Sequence, residues 1–132
     1  MYTVAIEIFD VLTVDTAKAS DVLDIGAAYE QISVLTTPNR PAGLYEVAFS
    51  FTWQMASANK SAYMRWRLDL GDWNEFRGEP KDASDKYVRY YAFPLTLLEG
   101  VHTLEFEARK EDTGTGQFDI LFLDLIITRI GA

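Results

Sequence analysis

The residue types able to do chemistry are few in this chain, and their spacing limits what they could do. His102 is the sole histidine, and there is no cysteine. Thiol catalysis, disulfides and cysteine-based zinc sites are therefore excluded, as is a histidine-rich metal site. A serine nucleophile activated by His102 would need a strained elbow of the Gly-x-Ser-x-Gly type, and none occurs. His102 instead opens a β-patterned run just after the turn residues Glu99 and Gly100, which is a place for a structural or surface histidine.

The acids Asp69, Asp72, Glu75, Glu79, Asp82 and Asp85 gather in one polar stretch. Carboxylates and loop carbonyls suit calcium, a hard cation that takes oxygen ligands. The spacing does not fit an EF-hand loop, however, and Arg77, Lys81 and Lys86 lie among the acids. Solvated turn charge is the better reading. A glycosidase needs two carboxylates facing each other across a cleft, and nothing selects such a pair here. The expectation is a non-enzyme with no catalytic residue, no metal ligand and no cofactor.

Trp53, Trp66 and Trp73, with Tyr63, Tyr90 and Tyr91, could offer flat platforms to sugar rings. Trp53 and Trp66 fall on the apolar faces of alternating runs and are expected in the core. Trp73 lies between Asp72 and Asn74, which makes it the aromatic expected to be exposed for contact. Arg65 and Arg67 share a polar face with Tyr63 and Asp69. Cross-strand pairing with Glu46, Glu105 or Glu107 is one account of them. A subunit contact is the other, since Arg and Tyr are enriched at interfaces.

The elements that position these residues are strands. Tyr45, Val47, Phe49, Phe51 and Trp53 alternate with Leu44, Glu46, Ala48, Ser50 and Thr52, a period-2 pattern with an aromatic core side. Ser61 to Leu70 alternates in the same way, and the short connection between the two runs predicts a long hairpin. Tyr2 to Val14, Ala27 to Leu35, Tyr87 to Phe93 and His102 to Arg109 read as further strands. Thr16 to Ser20 tolerates a helix but is too short to hold one. Gly71 to Asp85 reads as irregular, and Pro94 predicts a sheet edge or a strand end. Glu111 to Gly116 is expected to close a second hairpin into the last strand. The count comes to about seven or eight strands with fairly regular turns, which is the pattern of an all-β antiparallel sandwich or barrel, with a jelly-roll sandwich preferred.

Phe118 to Ile130 is apolar on both faces, so both want to be dry. Leu121, Leu123, Leu125 and Ile127 are expected to face the core. Phe118, Ile120, Phe122 and Ile126 share the other face with Asp124 and Thr128, and there a loop or a second copy would complete the burial. Asp124 would need a cation, with Arg65, Arg67 and Arg129 as candidates by type.

With 132 residues, 48% of them hydrophobic and 14% aromatic, the chain suits one domain, residues 1–132, with a substantial core. Its net charge of −8 argues against nucleic acid and against an anionic membrane surface. No run reads as a transmembrane helix. Met1 to Glu7 shows no basic leader before an apolar run, so no signal peptide is expected.

The segment Pro41-Ala42-Gly43-Leu44-Tyr45-Glu46-Val47-Ala48-Phe49-Ser50, the segment Gly100-Val101-His102-Thr103-Leu104-Glu105-Phe106 and the terminal apolar strand resemble β-sandwich modules in that order. The outline is similar to galactose-binding-like carbohydrate-binding modules. It also resembles the complement-head and tumour-necrosis-factor type of jelly roll, where such a strand lies in a trimer. With the loop Trp73 to Asp82, it resembles small jelly-roll virion proteins of tailed bacteriophages. The resemblance covers roughly residues 41 to 130. It implies a jelly-roll sandwich acting as a non-enzymatic virion structural subunit, such as a capsid decoration or head- or tail-associated protein. Self-association, with a trimer favoured, and contact with other virion proteins are implied partners. The interface candidates are then Phe118, Ile120, Phe122, Ile126, Arg65, Arg67 and Trp73. A carbohydrate-binding module, with glycan as ligand, is the alternative.

Overall fold

The computed structural model describes residues 13–131. The strand predicted from Tyr2 to Val14 therefore lies outside the described residues up to position 12. The described residues form eight strands: β1 (Thr13–Val22), β2 (Glu30–Thr36), β3 (Gly43–Met55), β4 (Ala62–Leu68), β5 (Asn74–Gly78), β6 (Lys86–Leu97), β7 (Thr103–Lys110) and β8 (Phe118–Gly131). They pair into two four-stranded antiparallel sheets, sheet A in the order β1-β8-β3-β6 and sheet B in the order β2-β7-β4-β5. This is the expected all-β antiparallel sandwich of jelly-roll type. The chain passes repeatedly from one sheet to the other.

That passage corrects both predicted hairpins. β3 and β4 lie in opposite sheets, and so do β7 and β8. Their connections are corners of the sandwich. The physical reason is that period-2 alternation fixes which side of a strand is dry but not which neighbour supplies its hydrogen bonds. Two apolar faces can be buried against each other across a core, without the two strands being side by side. The segment Thr16 to Ser20 is strand, because pairing along β8 outweighs its weak helical preference. The polar stretch read as irregular contains β5, which pairs with β4 from Ala62–Gly78 to Trp66–Asn74. Pro94 does sit on an edge strand, and β6 continues past it to Leu97. An edge tolerates a residue without an N–H.

The core lies between the sheets. Tyr45, Val47, Phe49, Phe51, Trp53 and Met55 come from β3; Ala62 and Met64 from β4; Leu104, Phe106 and Ala108 from β7; and Leu123, Leu125 and Ile127 from β8. Phe49 is at its centre, with ring centroids 5.5–6.3 Å from those of Phe51, Trp66, Phe76, Tyr91 and Phe106. Trp53 and Trp66 pack in or against this core, as their faces predicted.

The last strand departs from prediction at one point. Opposite Thr52 and Trp53, β8 pairs through Phe122 and then Ile120, so Leu121 is an extra residue and the ladder bulges there. A one-residue shift exchanges the faces of everything beyond it. Phe118 and Ile120 are therefore fully buried in the core and Leu121 is displaced from it. The expected core row survives only as Leu123, Leu125 and Ile127.

A glycine explains how β5 closes against sheet A. A Cβ built on Gly78 would lie 2.4 Å from the Trp53 indole. Gly78→Ala is expected to force that indole off its site and to cost about 1–3 kcal/mol, the usual range for overpacking. Urea unfolding should show the midpoint falling with little change in slope.

Candidate functional site

The outer faces of the two sheets differ in chemistry. On sheet A, the registers place four rows across the strands. These are Val14-Thr128-Glu46-Pro94, Thr16-Ile126-Ala48-Ala92, Lys18-Asp124-Ser50-Tyr90 and Ser20-Phe122-Thr52-Val88. The side chains are mostly apolar or hydroxyl-bearing. Val14, Val88 and Tyr90 are 60–75% exposed, and Phe122, Ile130 and Leu44 are also open to solvent. Single exposed apolar residues are ordinary, but a contiguous set on one sheet is informative. The four rows carry one lysine and two acids, a small share of the charge in a chain of net −8.

Asp124 lies within this face. Its Oδ1 is sealed from solvent and receives no hydrogen bond among the described residues. The cation beside it is Lys18, with Nζ 3.7 Å away, which is ion-pair range but beyond a normal hydrogen bond. The expected partners Arg65 and Arg67 are on the other sheet. Of the interface candidates on β8, Phe122 and Ile126 do occupy this outer face, whereas Phe118 and Ile120 are buried inside the subunit.

The outer face of sheet B is a set of locked charges. Arg65 donates to Glu107 at 2.5 and 2.8 Å, and Arg67 forks onto both oxygens of Glu105 at 3.2 Å. These are the cross-strand pairs β4–β7 that the sequence allowed; Glu46 is on sheet A. Aromatic rings alternate with the guanidiniums. The Arg65 guanidinium is 3.8 Å from the Tyr29 ring centroid and 4.1 Å from that of Trp73. Arg67 stacks on Trp73 at 4.3 Å, and Arg109 stacks on Tyr63 at 4.1 Å. The half-buried Trp73 is thus covered in part by two cations. Tyr29, which sequence reading left out of the site, joins this stack from the β1–β2 connection and donates to Glu75. No local pattern marks it, because it reaches the stack only through tertiary folding.

Burial, and then the Glu75 carboxylate, push the Tyr29 phenol up from 10.0 to about 12. The neutral phenol is the form the fold favours. Its stabilisation is complete below the unfolded value and is lost as pH rises from about 10 through about 12. An ultraviolet phenolate titration should show one tyrosine ionising late, and Tyr29→Phe should remove that step.

His102 is structural. Its Nδ1 is 2.6 Å from Asp69 Oδ2 and its Nε2 is 2.8 Å from the Leu98 carbonyl. Neither ring nitrogen is left to serve a nucleophile. Asp69 also accepts from the Thr103 N–H at 2.7 Å, so the pair ties the start of β7 to the end of β4. The other loop acids are spread out. Glu79 pairs with Arg77 at 3.1 Å, and no group of three or more acids or histidines able to hold a metal occurs among the described residues. No helix among the described residues is long and apolar enough to cross a membrane.

No family model and no curated protein matches this chain. Solved structures do. The globular domain of zebrafish complement 1qA protein matches with a TM-score of 0.54 at 15% identity, over 90% of this chain and 97% of that one. Eiger TNF from S. frugiperda matches with a TM-score of 0.51 at 10% identity, over 91% and 93%. A chain in the structure of infectious bursal disease virus Gx strain matches with a TM-score of 0.59 at 10% identity, covering 89% of this chain and 33% of that one. At these identities the likeness is one of fold: a jelly-roll sandwich of a kind found in TNF-like, complement-head and viral proteins.

Proposed function

We propose that the chain is a non-enzymatic structural subunit that self-associates through the outer face of sheet A, as a trimer, and packs onto other proteins of a virion. The observation that carries this reading is that face itself. It is contiguous, rich in apolar and hydroxyl side chains, and contains a carboxylate oxygen with no hydrogen-bond donor. Burying apolar area is worth about 25 cal/mol per Å², and stable assemblies commonly bury more than roughly 2,000 Å². The likeness in fold to TNF, complement 1q and virus chains supports the type of subunit. The virion setting, and a tailed bacteriophage as its source, rest on the resemblance in the loop Trp73 to Asp82 and in the strands around it.

We favour assembly over a carbohydrate-binding module because Trp73, the ring such a module would use, already stacks on Arg65 and Arg67. Sedimentation velocity across a hundredfold range of concentration tests the reading. A trimer mass is expected, and a monomer throughout the micromolar range would overturn it.

A further inference from the structure

At one end of the sandwich, where β8 and β3 carry the outer face of sheet A past the row of Phe122 and Thr52, the corners between strands form a small polar pocket lined by Gln54, Ala56, Ser84, Gln117 and Asp119. Its floor is Asp119, which is 4% exposed. Oδ1 of Asp119 accepts from the Asp24 N–H at 2.9 Å and from Gln117 Nε2 at 2.8 Å, and Oδ2 accepts from Gln54 Nε2 at 3.0 Å. Burial works to raise its pKa, but these three donors outweigh it and hold the carboxyl below its usual range. Asp119 is thus a buried anion, and no cation pairs with it among the described residues. Buried carboxylates are commonly matched by a positive charge.

The orientation of the two amides follows from the same bonds. A carboxylate only accepts, so Gln54 and Gln117 must both present their NH2 groups to it. Their Oε1 atoms therefore point elsewhere and have no partner among the described residues. Beside them stands the hydroxyl of Ser84, a residue held at φ 64°, in the left-handed region that a side chain seldom adopts. Its N–H is fixed to the Met55 carbonyl at 2.7 Å, which pins that loop against the pocket wall. Backbone held in a sparse region marks a place where the surroundings over-determine the loop. The pocket therefore offers hydrogen-bond acceptors and negative charge; the neighbouring cation, Lys86, stands opposite Gln54 on β6 and makes no ion pair with Asp119.

We propose that this pocket binds a primary ammonium group. An alkylammonium carries one positive charge and three N–H donors, which match the acceptors Gln54 Oε1, Gln117 Oε1 and Asp119. The ammonium could be that of a free small amine or that of a lysine side chain on a neighbouring protein; the recognition chemistry is the same. The site adjoins the face assigned to self-association but uses none of the residues in its four rows, so its failure would leave that reading standing.

The test is an amide NMR titration of the full chain at constant ionic strength. The probes are n-butylammonium chloride, Nα-acetyl-lysine amide and, as the neutral isostere, n-butanol. Saturable shifts confined to Asp24, Ser84, Gly116 and their neighbours are expected with the ammonium probes, at least tenfold tighter than with n-butanol. Binding of both ammonium probes supports the site and points to a lysine as well as a free amine as a fitting ligand. Binding of n-butylammonium alone supports it and points to a free amine. Ala56→Leu, which fills the pocket without touching the carboxylate network, should abolish the shifts while unfolding stays normal. Gln117→Leu should weaken binding at least tenfold. Absence of saturable shifts, equal binding by n-butanol, equal competition by potassium ions, or unchanged binding in Ala56→Leu would each overturn the proposal. In that case Asp119 serves only to pin the β1–β2 connection to sheet A.

Discussion

Ile126→Arg is expected to break the assembly while leaving the subunit folded. Ile126 lies on β8 between Thr16 and Ala48, on the outer face of sheet A. In the isolated subunit an arginine there can extend along the sheet and keep its guanidinium in water, so the cost to folding is small. In an interface through this face the same cation would be desolvated, and the carboxylate nearby is already shared with Lys18. An unpaired buried charge costs roughly 3–5 kcal/mol, which is about a 10²–10⁴-fold weakening for each contact it enters. Sedimentation should therefore show a monomer at concentrations where the parent chain is associated, with the same urea midpoint extrapolated to dilute protein. Gln31→Arg, on the outer side of sheet B, should leave the association unchanged. Should Ile126→Arg remain associated, the interface lies elsewhere, and the charged stack around Trp73 becomes the next surface to test.

The distinction between those two faces was only partly legible in the sequence. The alternation in Leu44 to Trp53 named the core side of β3 correctly, because its aromatic residues fall on one face without interruption. Arg65 and Arg67 were placed on the outer side by the same logic, and two of their three possible partners proved right. β8 could not be read this way. Its apolar residues occupy both parities, so nothing local reveals that Leu121 is the extra residue of a bulge. The bulge is set by pairing with Thr52 and Trp53, almost seventy residues earlier in the chain. Strand partners were hidden for the same reason. Short corners between β3 and β4, and between β7 and β8, look like hairpin turns until the sheet each strand joins is known. Tyr29 and Asp119 were missed because their significance lies in contacts across the fold: Tyr29 between the guanidiniums, Asp119 beneath two glutamine amides. Neither belongs to a motif.

The same contrast between local pattern and tertiary meaning sets the second large effect, which falls on Phe49. Phe49 is fully buried on β3 of sheet A, and its ring reaches Trp66 of β4, Phe76 of β5 and Phe106 of β7 on sheet B. It also contacts Phe51 and Tyr91 within sheet A. Removing this ring takes away the central contact between the sheets, and rigid neighbouring aromatics cannot readily collapse into the space. Phe49→Ala is expected to cost about 3–5 kcal/mol, a large part of the roughly 5–15 kcal/mol that stabilises a typical domain. Phe49→Leu retains most of the volume and should cost less. Phe122→Ala is the informative contrast: it also deletes a phenylalanine ring, but from the exposed face, and in the dissociated subunit it should shift stability by less than about 0.5 kcal/mol. Urea unfolding of the three variants, followed by tryptophan fluorescence, measures this directly. A double variant with Phe106→Ala should lose less than the sum of its parts, since the two residues share one cavity. Equal losses for Phe49→Ala and Phe122→Ala in the monomer would mean that the sandwich core is not centred on Phe49.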